Sequence, residues 1–342
     1  MKYQDTGLYH YCLNLGNHLQ KAASQGPEEI HFYTPYGTQP LFGNRSKHLI
    51  QTELHKICMP DLKGYRIWHA THQDSYYLPF RNRRIKVVLT IHDLNFLYDH
   101  SKSEAKKQKY LRRVQMLINR ADAIVCVSEY CKKDVLFYCD INDKPLYVIH
   151  NGTNALHTPR LDARSYQPVK PFLFSLGTVV WKKNFHTLLP LVHDDSGMEL
   201  VIAGRIDDAG YHNYIMQAAE QLGVLNNIRI IGQVNENEKA WYFRNCTAFA
   251  FPSISEGFGL PVAEAMSVGK PLFLSDKTAL PEIAGNAAFY FKDFSATRMR
   301  EIFYSGMKQY SRLNMQEDIM EKGKAFCWNK AANEYLNVYR SL

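Results

Sequence analysis

Two glutamates, Glu256 and Glu264, stand eight positions apart around a Gly257-Phe258-Gly259 turn. An apolar run at 248–252 precedes them with the length of a buried strand, and a helical pattern with Pro261 at its start follows. Proline is well placed at a first helical position, where its missing N–H is not needed. Strand, glycine turn and helix start in that order leave free amides and the positive end of a helix dipole over the turn, which favours an anion. On one continuous helix the carboxylates would lie about 12 Å apart and roughly 80° around the axis. Glu256 precedes the proline, so it is expected in the loop, with Glu264 in the first helical turn and both facing one cleft. Carboxylates repel a phosphate but accept hydrogen bonds from hydroxyls. An anion flanked by two sets of hydroxyls describes a sugar nucleotide: ribose, diphosphate, hexose.

Such a turn needs a sheet to hold it. Residues 8–22 read as a helix, and 29–33, 66–70, 86–91, 123–127 and 146–149 as short strands. Residues 101–120 read as a long helix, and Ser128 suits the N-cap of another that ends near Tyr138. Proline and charge punctuate 155–171, which reads as an interdomain linker. A second series of strands follows at 172–176, 200–203, 228–231, 248–251, 271–274 and 288–291. The last helix carries Trp328, Ala331, Tyr335, Val338 and Tyr339 at helical spacing. Short apolar strands alternating with helices imply parallel sheets covered on both faces. Ligands then bind at the carboxyl ends of the strands.

The run Glu256-Gly257-Phe258-Gly259-Leu260-Pro261-Val262-Ala263-Glu264 resembles the E-x7-E motif of retaining glycosyltransferases of family 4, which have the GT-B fold. Five further strings stand in the family's order: Thr6-Gly7-Leu8-Tyr9, Thr90-Ile91-His92-Asp93-Leu94, Val127-Ser128-Glu129-Tyr130, Ile149-His150-Asn151-Gly152, and Gly177-Thr178 with Lys182-Lys183-Asn184. The resemblance covers nearly all of the chain. It implies an α/β protein of two doubly wound, Rossmann-like domains facing across a cleft. Residues 1–160 would bind the acceptor, 171–325 the nucleotide sugar, and 326–342 would cross back to the first domain. Family members begin with a strand before the glycine loop. Only five residues precede Thr6-Gly7 here, so that strand is expected to be missing or mostly cut away.

The resemblance also implies roles. Lys183, with Lys182, would bind the donor diphosphate, where a fixed cation stabilises leaving-group charge; taken alone, the two read as a solvated surface pair. Gly177 would lie beside them, and Thr178 stands where the family often has arginine. Glu264 would bind ribose hydroxyls, or simply complement the helix dipole. Glu256 would bind hexose hydroxyls beside the amides of Phe258, Gly259 and Leu260, with Phe258 either a sugar contact or a loop anchor. His92, at a strand end, would lie by the donor hexose and acceptor, and Gly7 would let the backbone approach the phosphates. Glu256, His92 and Lys183 are thus the catalytic candidates. Val234 is a candidate base contact, and Arg205 reads as a surface arginine.

No Asp-x-Asp triplet occurs, so metal independence is expected, with no cofactor beyond a GDP- or UDP-linked sugar as donor substrate. No G-x-G-x-x-G follows a strand, which argues against a nicotinamide dehydrogenase. The implied reaction is retaining hexosyl transfer, with GDP-mannose the preferred donor, to a glycan or lipid-linked acceptor of a cell-surface polysaccharide such as lipopolysaccharide. The competing reading is a noncatalytic subunit that binds a nucleotide sugar.

The 342 residues suffice for two cores, with 46% hydrophobic and 22% charged residues as in ordinary globular proteins. No apolar run is long enough to span a bilayer, and no secretory signal is visible. The seven cysteines form no C-x-x-C pair, and the spacing of Cys126, Cys131 and Cys139 fits no common zinc pattern. Reduced thiols in a cytoplasmic protein are expected. The whole net charge of +8 falls in residues 1–160. Helix 101–120 alone carries seven Lys or Arg and one Glu. It reads either as a solvated basic face or as a contact with an anionic membrane surface, which would place the protein at the inner face of the cytoplasmic membrane. No nucleic-acid-binding motif accompanies the charge.

Overall fold

The computed structural model describes residues 7–43, 46–99, 101–154, 156, 159–193 and 196–342. The chain divides into two compact units, Met1–Gly152 with Phe326–Leu342, and Thr153–Ala325.

Unit 1 opens with α1 (Gly7–Ala23), β1 (His31–Thr34) and β2 (Lys47–Ile50). It continues through β3 (Ile67–Ala70), β4 (Lys86–Ile91), α2 (Glu104–Arg120), β5 (Ala123–Cys126), α3 (Glu129–Tyr138) and β6 (Leu146–Val148). The strands form a parallel four-stranded sheet in the order β3-β4-β5-β6 and a separate parallel pair, β1-β2. Side chains alternate across the larger sheet as the pleat requires. Val88, Ala123 and Val125 point into one core, and Val87, Leu89, Ile91, Ile124 and Cys126 into the other. Each such fully buried aliphatic side chain stabilises the fold by roughly 1.5–3 kcal/mol. Ser103 and Ser128 cap α2 and α3, accepting from the amides of Lys106 and Cys131.

Element ends in this half shift by one to three residues from the sequence reading, as in β1, expected at 29–33, and α2, expected from 101. Strand β2 was not expected, because Lys47-His48-Leu49-Ile50 is too short and polar to show alternation. The strand expected at 66–70 starts one residue later, at Ile67. Of the expected glycine loop Thr6-Gly7-Leu8-Tyr9, the last three residues open α1, while Thr6 and the five residues before it, where the shortened first strand was expected, lie outside the described residues.

In unit 2 the elements are β7 (Phe172–Leu176), β8 (Glu199–Ala203), α4 (Ala209–Gln221), β9 (Ile228–Ile230), α5 (Glu236–Asn245) and β10 (Ala248–Phe251). After them come α6 (Leu260–Ser267), β11 (Leu272–Ser275), α7 (Leu280–Ala284), β12 (Phe289–Phe291), α8 (Ala296–Leu313) and α9 (Gln316–Gly323). The six strands pair in parallel in the order β12-β11-β10-β7-β8-β9. Strand order therefore reverses between β7 and β10, which places the loops after these two strands side by side.

The expected linker is largely part of unit 2. Leu156 is buried, and the amides of Val169 and Lys170 donate to Glu199 Oε1 at 3.0 and 2.9 Å. Tyr166 donates its hydroxyl to the other oxygen of Glu199. The boundary thus lies at Gly152–Thr153, ahead of the 160 read from composition. The last helix, α10 (Trp328–Arg340), belongs to unit 1, where Ala331, Tyr335 and Leu336 share a core with Tyr11, Leu15 and Leu19 of α1. Gly152 permits this, since a Cβ there would sit 2.2 Å from the Trp328 nitrogen.

Candidate active site

The loop after β7 turns through Gly177, Thr178 and a short 3₁₀ segment, Trp181–Lys183. The loop after β10 carries Ser253 to Gly259 into α6. Backbone contacts clamp one to the other. Lys182 offers its carbonyl to the Ile254 amide at 2.9 Å and to Ser253 Oγ at 3.1 Å. Close packing at the strand ends requires glycine, because a Cβ on Gly204 would lie 2.0 Å from the Gly177 carbonyl oxygen.

Across these loops Lys183 Nζ meets Glu256 Oε1 at 2.5 Å, with side chains only 11% and 13% exposed. Ser253 Oγ donates to the same carboxylate oxygen at 2.6 Å, and the Glu256 amide donates to Thr278 Oγ1 at 3.0 Å. The ammonium of Lys183 also lies over the Phe251 ring, 4.7 Å from its centroid. Burial pushes the Lys183 ammonium down from its ordinary value against the pull of Glu256. For Glu256 burial acts upward, but the Lys183 and Lys182 charges and the Ser253 hydrogen bond outweigh it and hold the carboxyl below its usual range. Thr178, in the same loop as Lys183, is half-buried, and the side chain of Lys182 is exposed.

Glu264 is not part of that pair. It is the fifth residue of α6, in the second helical turn rather than the first, so the dipole explains less of its placement. Its partner is Lys239 of α5, whose Nζ donates at 2.7 Å to Glu264 and at 3.0 Å to Glu236. Burial acts downward on Lys239, yet the two carboxylates raise it above its ordinary value. Gly259 enters α6 at φ +103, and a Cβ there would lie 2.7 Å from Leu280 Cδ2, so both conformation and space select glycine. Pro261 brings no N–H, and the Val262 and Ala263 amides donate to the Gly259 carbonyl at 2.9 and 3.3 Å, so the amide that the start of α6 leaves for a ligand is that of Leu260. Phe258 is 4% exposed, which favours the anchor reading and leaves its backbone as what it offers a ligand.

In unit 1, His92 follows β4 and is held on three sides. Its amide donates to Gln73 Oε1 at 3.0 Å, its Nε2 lies 2.9 Å from the Thr71 carbonyl, and its ring meets Tyr11 edge-on at 4.5 Å. A carbonyl only accepts, so Nε2 carries the proton. Burial, with nearby His72, pushes the imidazole down to about 4, so Nδ1 is an unprotonated acceptor at neutral pH. Such a nitrogen can receive a hydroxyl proton in a hydrogen bond. Gly7 is the first residue of α1, and a Cβ there would meet nothing within 4 Å, so nothing described requires glycine at that position.

The structure thus brings Lys183, Glu256 and Gly177 together. It seats Glu264 against Lys239 and holds His92 at the carboxyl edge of the unit 1 sheet. Lys239, Ser253, Thr278 and Gln73 were missed, and none stands in a string that marks it. Among the described residues no group of three or more His, Cys, Asp or Glu could hold a metal ion, and no helix is long and apolar enough to cross a membrane. All seven cysteines are free thiols.

Comparison with known proteins agrees with this architecture. Residues 10–155 match the Glycosyltransferase Family 4 family and residues 163–325 match Glycosyl transferases group 1. The chain is 23% identical over 297 residues to O-antigen chain mannosyltransferase B of Escherichia coli, covering 82% of this chain and 76% of that protein. It is 25% identical over 205 residues to O-antigen chain mannosyltransferase RfbU of Salmonella typhimurium, covering 59% of this chain and 56% of that protein. Among solved structures, sucrose-phosphate synthase from Thermosynechococcus elongatus superposes with a TM-score of 0.72 at 17% identity, covering 98% of this chain and 93% of that one. The Anabaena HepE protein, solved with UDP and glucose, gives 0.64 at 17% identity, covering 76% and 72%. The chain belongs to the family 4 glycosyltransferases of the GT-B fold.

Proposed function

We propose that this protein is a retaining, metal-independent hexosyltransferase in cell-surface polysaccharide synthesis. It moves a hexose from a nucleotide sugar to a glycan or lipid-linked acceptor, with GDP-mannose as the preferred donor. The observation that carries the reading is the buried Lys183–Glu256 pair at the point where strand order reverses. A preset cation there stabilises the leaving diphosphate, and a preset carboxylate accepts hexose hydroxyls. The mannose preference rests on the names of the two O-antigen relatives; the glucose and UDP of the HepE structure favour the alternative donor class.

In this reading the acceptor oxygen bonds to the anomeric carbon on the face from which the phosphate departs. The anomeric carbon–phosphate oxygen bond breaks, and the acceptor proton passes to the leaving β-phosphate. Lys183, Thr178 and the Leu260 amide at the start of α6 stabilise the developing charge. Glu256 and the neutral His92 orient hydroxyls, and Glu264 binds the ribose. Lys182, exposed beside Lys183, adds long-range attraction for the diphosphate. The protein works in the cytoplasm, where the basic α2 favours the anionic inner face of the membrane.

The test is a melting-temperature panel of GDP- and UDP-hexoses in EDTA, followed by turnover with octyl mannoside. Binding to the folded state raises the melting temperature. A shift with GDP-mannose, lost in Glu264→Ala, with mannosylated product of retained anomeric configuration, supports the reading. Stabilisation by nucleotide sugars without turnover on any acceptor would assign the chain to a noncatalytic subunit instead.

A further inference from the structure

The loop after β3 ties His92 to a cation that the reaction above does not use. Gln73 accepts from the His92 amide and donates Nε2 to the Asp93 carbonyl at 2.9 Å, so residues 71–77 are pinned beside His92. The His72 ring lies 5.5 Å from that of His92. Three residues past Gln73, Tyr76 is 58% exposed, and the guanidinium of Arg113 from α2 lies over its ring, 3.5 Å from the centroid. Arg113 donates one N–H to the Asp74 carbonyl at 2.6 Å. Stacking covers the face of a guanidinium and leaves its in-plane donors directed outward.

Arg113 differs from the other cations around it. Lys56, also near the Tyr76 ring, is paired with Glu53, and Lys107 with Glu104 on α2 itself. Arg120 is buried and spends its donors on the carbonyls of Pro79, Asn82 and Ile85. Arg113 has no carboxylate partner among the described residues. Burial, with the Arg113 charge, pushes His72 down to about 4.

We propose that Arg113 is an acceptor-specificity residue: its guanidinium, held over Tyr76 and on the Asp74 carbonyl in the loop that Gln73 pins to His92, takes an anionic group carried by the acceptor. The inference rests on the transferase reading above. The group is a phosphate ester or a carboxylate, both of which match the planar fork of a guanidinium. The source is either the diphosphate of a lipid carrier or an acidic sugar of the growing glycan.

The experiment is calorimetric titration of three probes: neutral octyl mannoside, dodecyl diphosphomannose and octyl glucuronide. Each is titrated into wild type, Arg113→Gln and Arg113→Lys, and again in a Lys183→Ala background that removes the donor-site cation. One anionic probe is expected to bind at least about tenfold tighter than the neutral one. Arg113→Gln abolishes that difference in both backgrounds while leaving octyl mannoside unchanged, and Arg113→Lys keeps part of it. Preference for the diphosphate probe identifies a lipid carrier, and preference for the glucuronide an acidic glycan. Equal binding of all three probes by wild type, or equal weakening of all three by Arg113→Gln, overturns the proposal; the second result would mean that Arg113 only pins the loop. Absence of turnover with every nucleotide sugar would overturn the transferase reading and leave the anion site standing.

Discussion

The carboxyl edges of the two sheets solve the problem of buried polarity in opposite ways. In unit 2 each motif glutamate holds a lysine, Glu256 with Lys183 and Glu264 with Lys239. At the carboxyl edge of the unit 1 sheet the inward-facing histidines and tyrosines are neutral. His69 is pushed to about 3, and His72 and His92 to about 4, and the hydroxyls of Tyr11 and Tyr335 meet at 2.7 Å with Thr90 between them and His69. A buried charge must be compensated before a ligand arrives, whereas a neutral imidazole or phenol needs only a hydrogen bond. Preset charges suit a ligand of fixed charge such as a diphosphate. Neutral acceptors suit sugar hydroxyls. Arg113 is the half-buried cation that unit 1 stacks over Tyr76 near that neutral edge.

Removing one member of the inner pair should separate the two designs most strongly. Lys183→Met leaves Glu256 buried without a counterion, which costs roughly 3–5 kcal/mol of stability. Transfer should fall about 100- to 1000-fold with it. In urea titrations the double variant Lys183→Met/Glu256→Leu is expected to recover most of the lost stability and none of the activity. A double variant as unstable as the single one would show that the pair does not hold these loops together.

Acid distinguishes the units next. The unfolded histidines take up protons near pH 6.5, while folded His69, His72 and His92 stay neutral to about pH 3–4. The unfolded state therefore binds more protons across that window, and stability falls as pH drops from about 6.5 towards 4, by up to ~1.4 kcal/mol per pH unit for each histidine. Glu256, lowered in the folded state, is lost only below the ordinary carboxylate range. Hydrogen exchange at pH 7 and pH 5 should thus show protection falling in β4 and α10 but holding in β7 and β10. Equal loss in both units would refute the assignment of neutral histidines.

The smallest effect should come from the outer pair. Lys239→Met frees Glu264 from its anchor without touching Lys183, so steady-state kinetics should show the donor KM raised about tenfold with kcat nearly unchanged. A fall in kcat as large as that of Lys183→Met would move Lys239 into the transition-state machinery.

Much of this was legible in the chain. The strand at 248–251, the glycine turn and the proline-opened helix appear where the residue types place them, since each rests on local geometry. Strand β4 and the Ser128 cap are equally local. Glu264 was placed a turn too early because α6 starts at Leu260 with the glycine outside it. β2 escaped because four residues carry too little pattern.

Local pattern therefore carried the alternation of elements, the glycine turn and the helix start after it, and marked Lys183, Glu256 and Glu264 as candidates while leaving Lys239, Thr278 and Gln73 unmarked. Which charges meet was decided by tertiary structure alone. Lys183 and Glu256 are 73 positions apart, and Lys239 and Glu264 are 25. Lys183 and Glu256 meet because strand order reverses between β7 and β10 and sets the loops after these strands side by side, and Lys239 and Glu264 meet across α5 and α6, the helices before and after β10. Periodicity along a chain reports which face of an element is buried, but it carries no information about the order in which strands assemble.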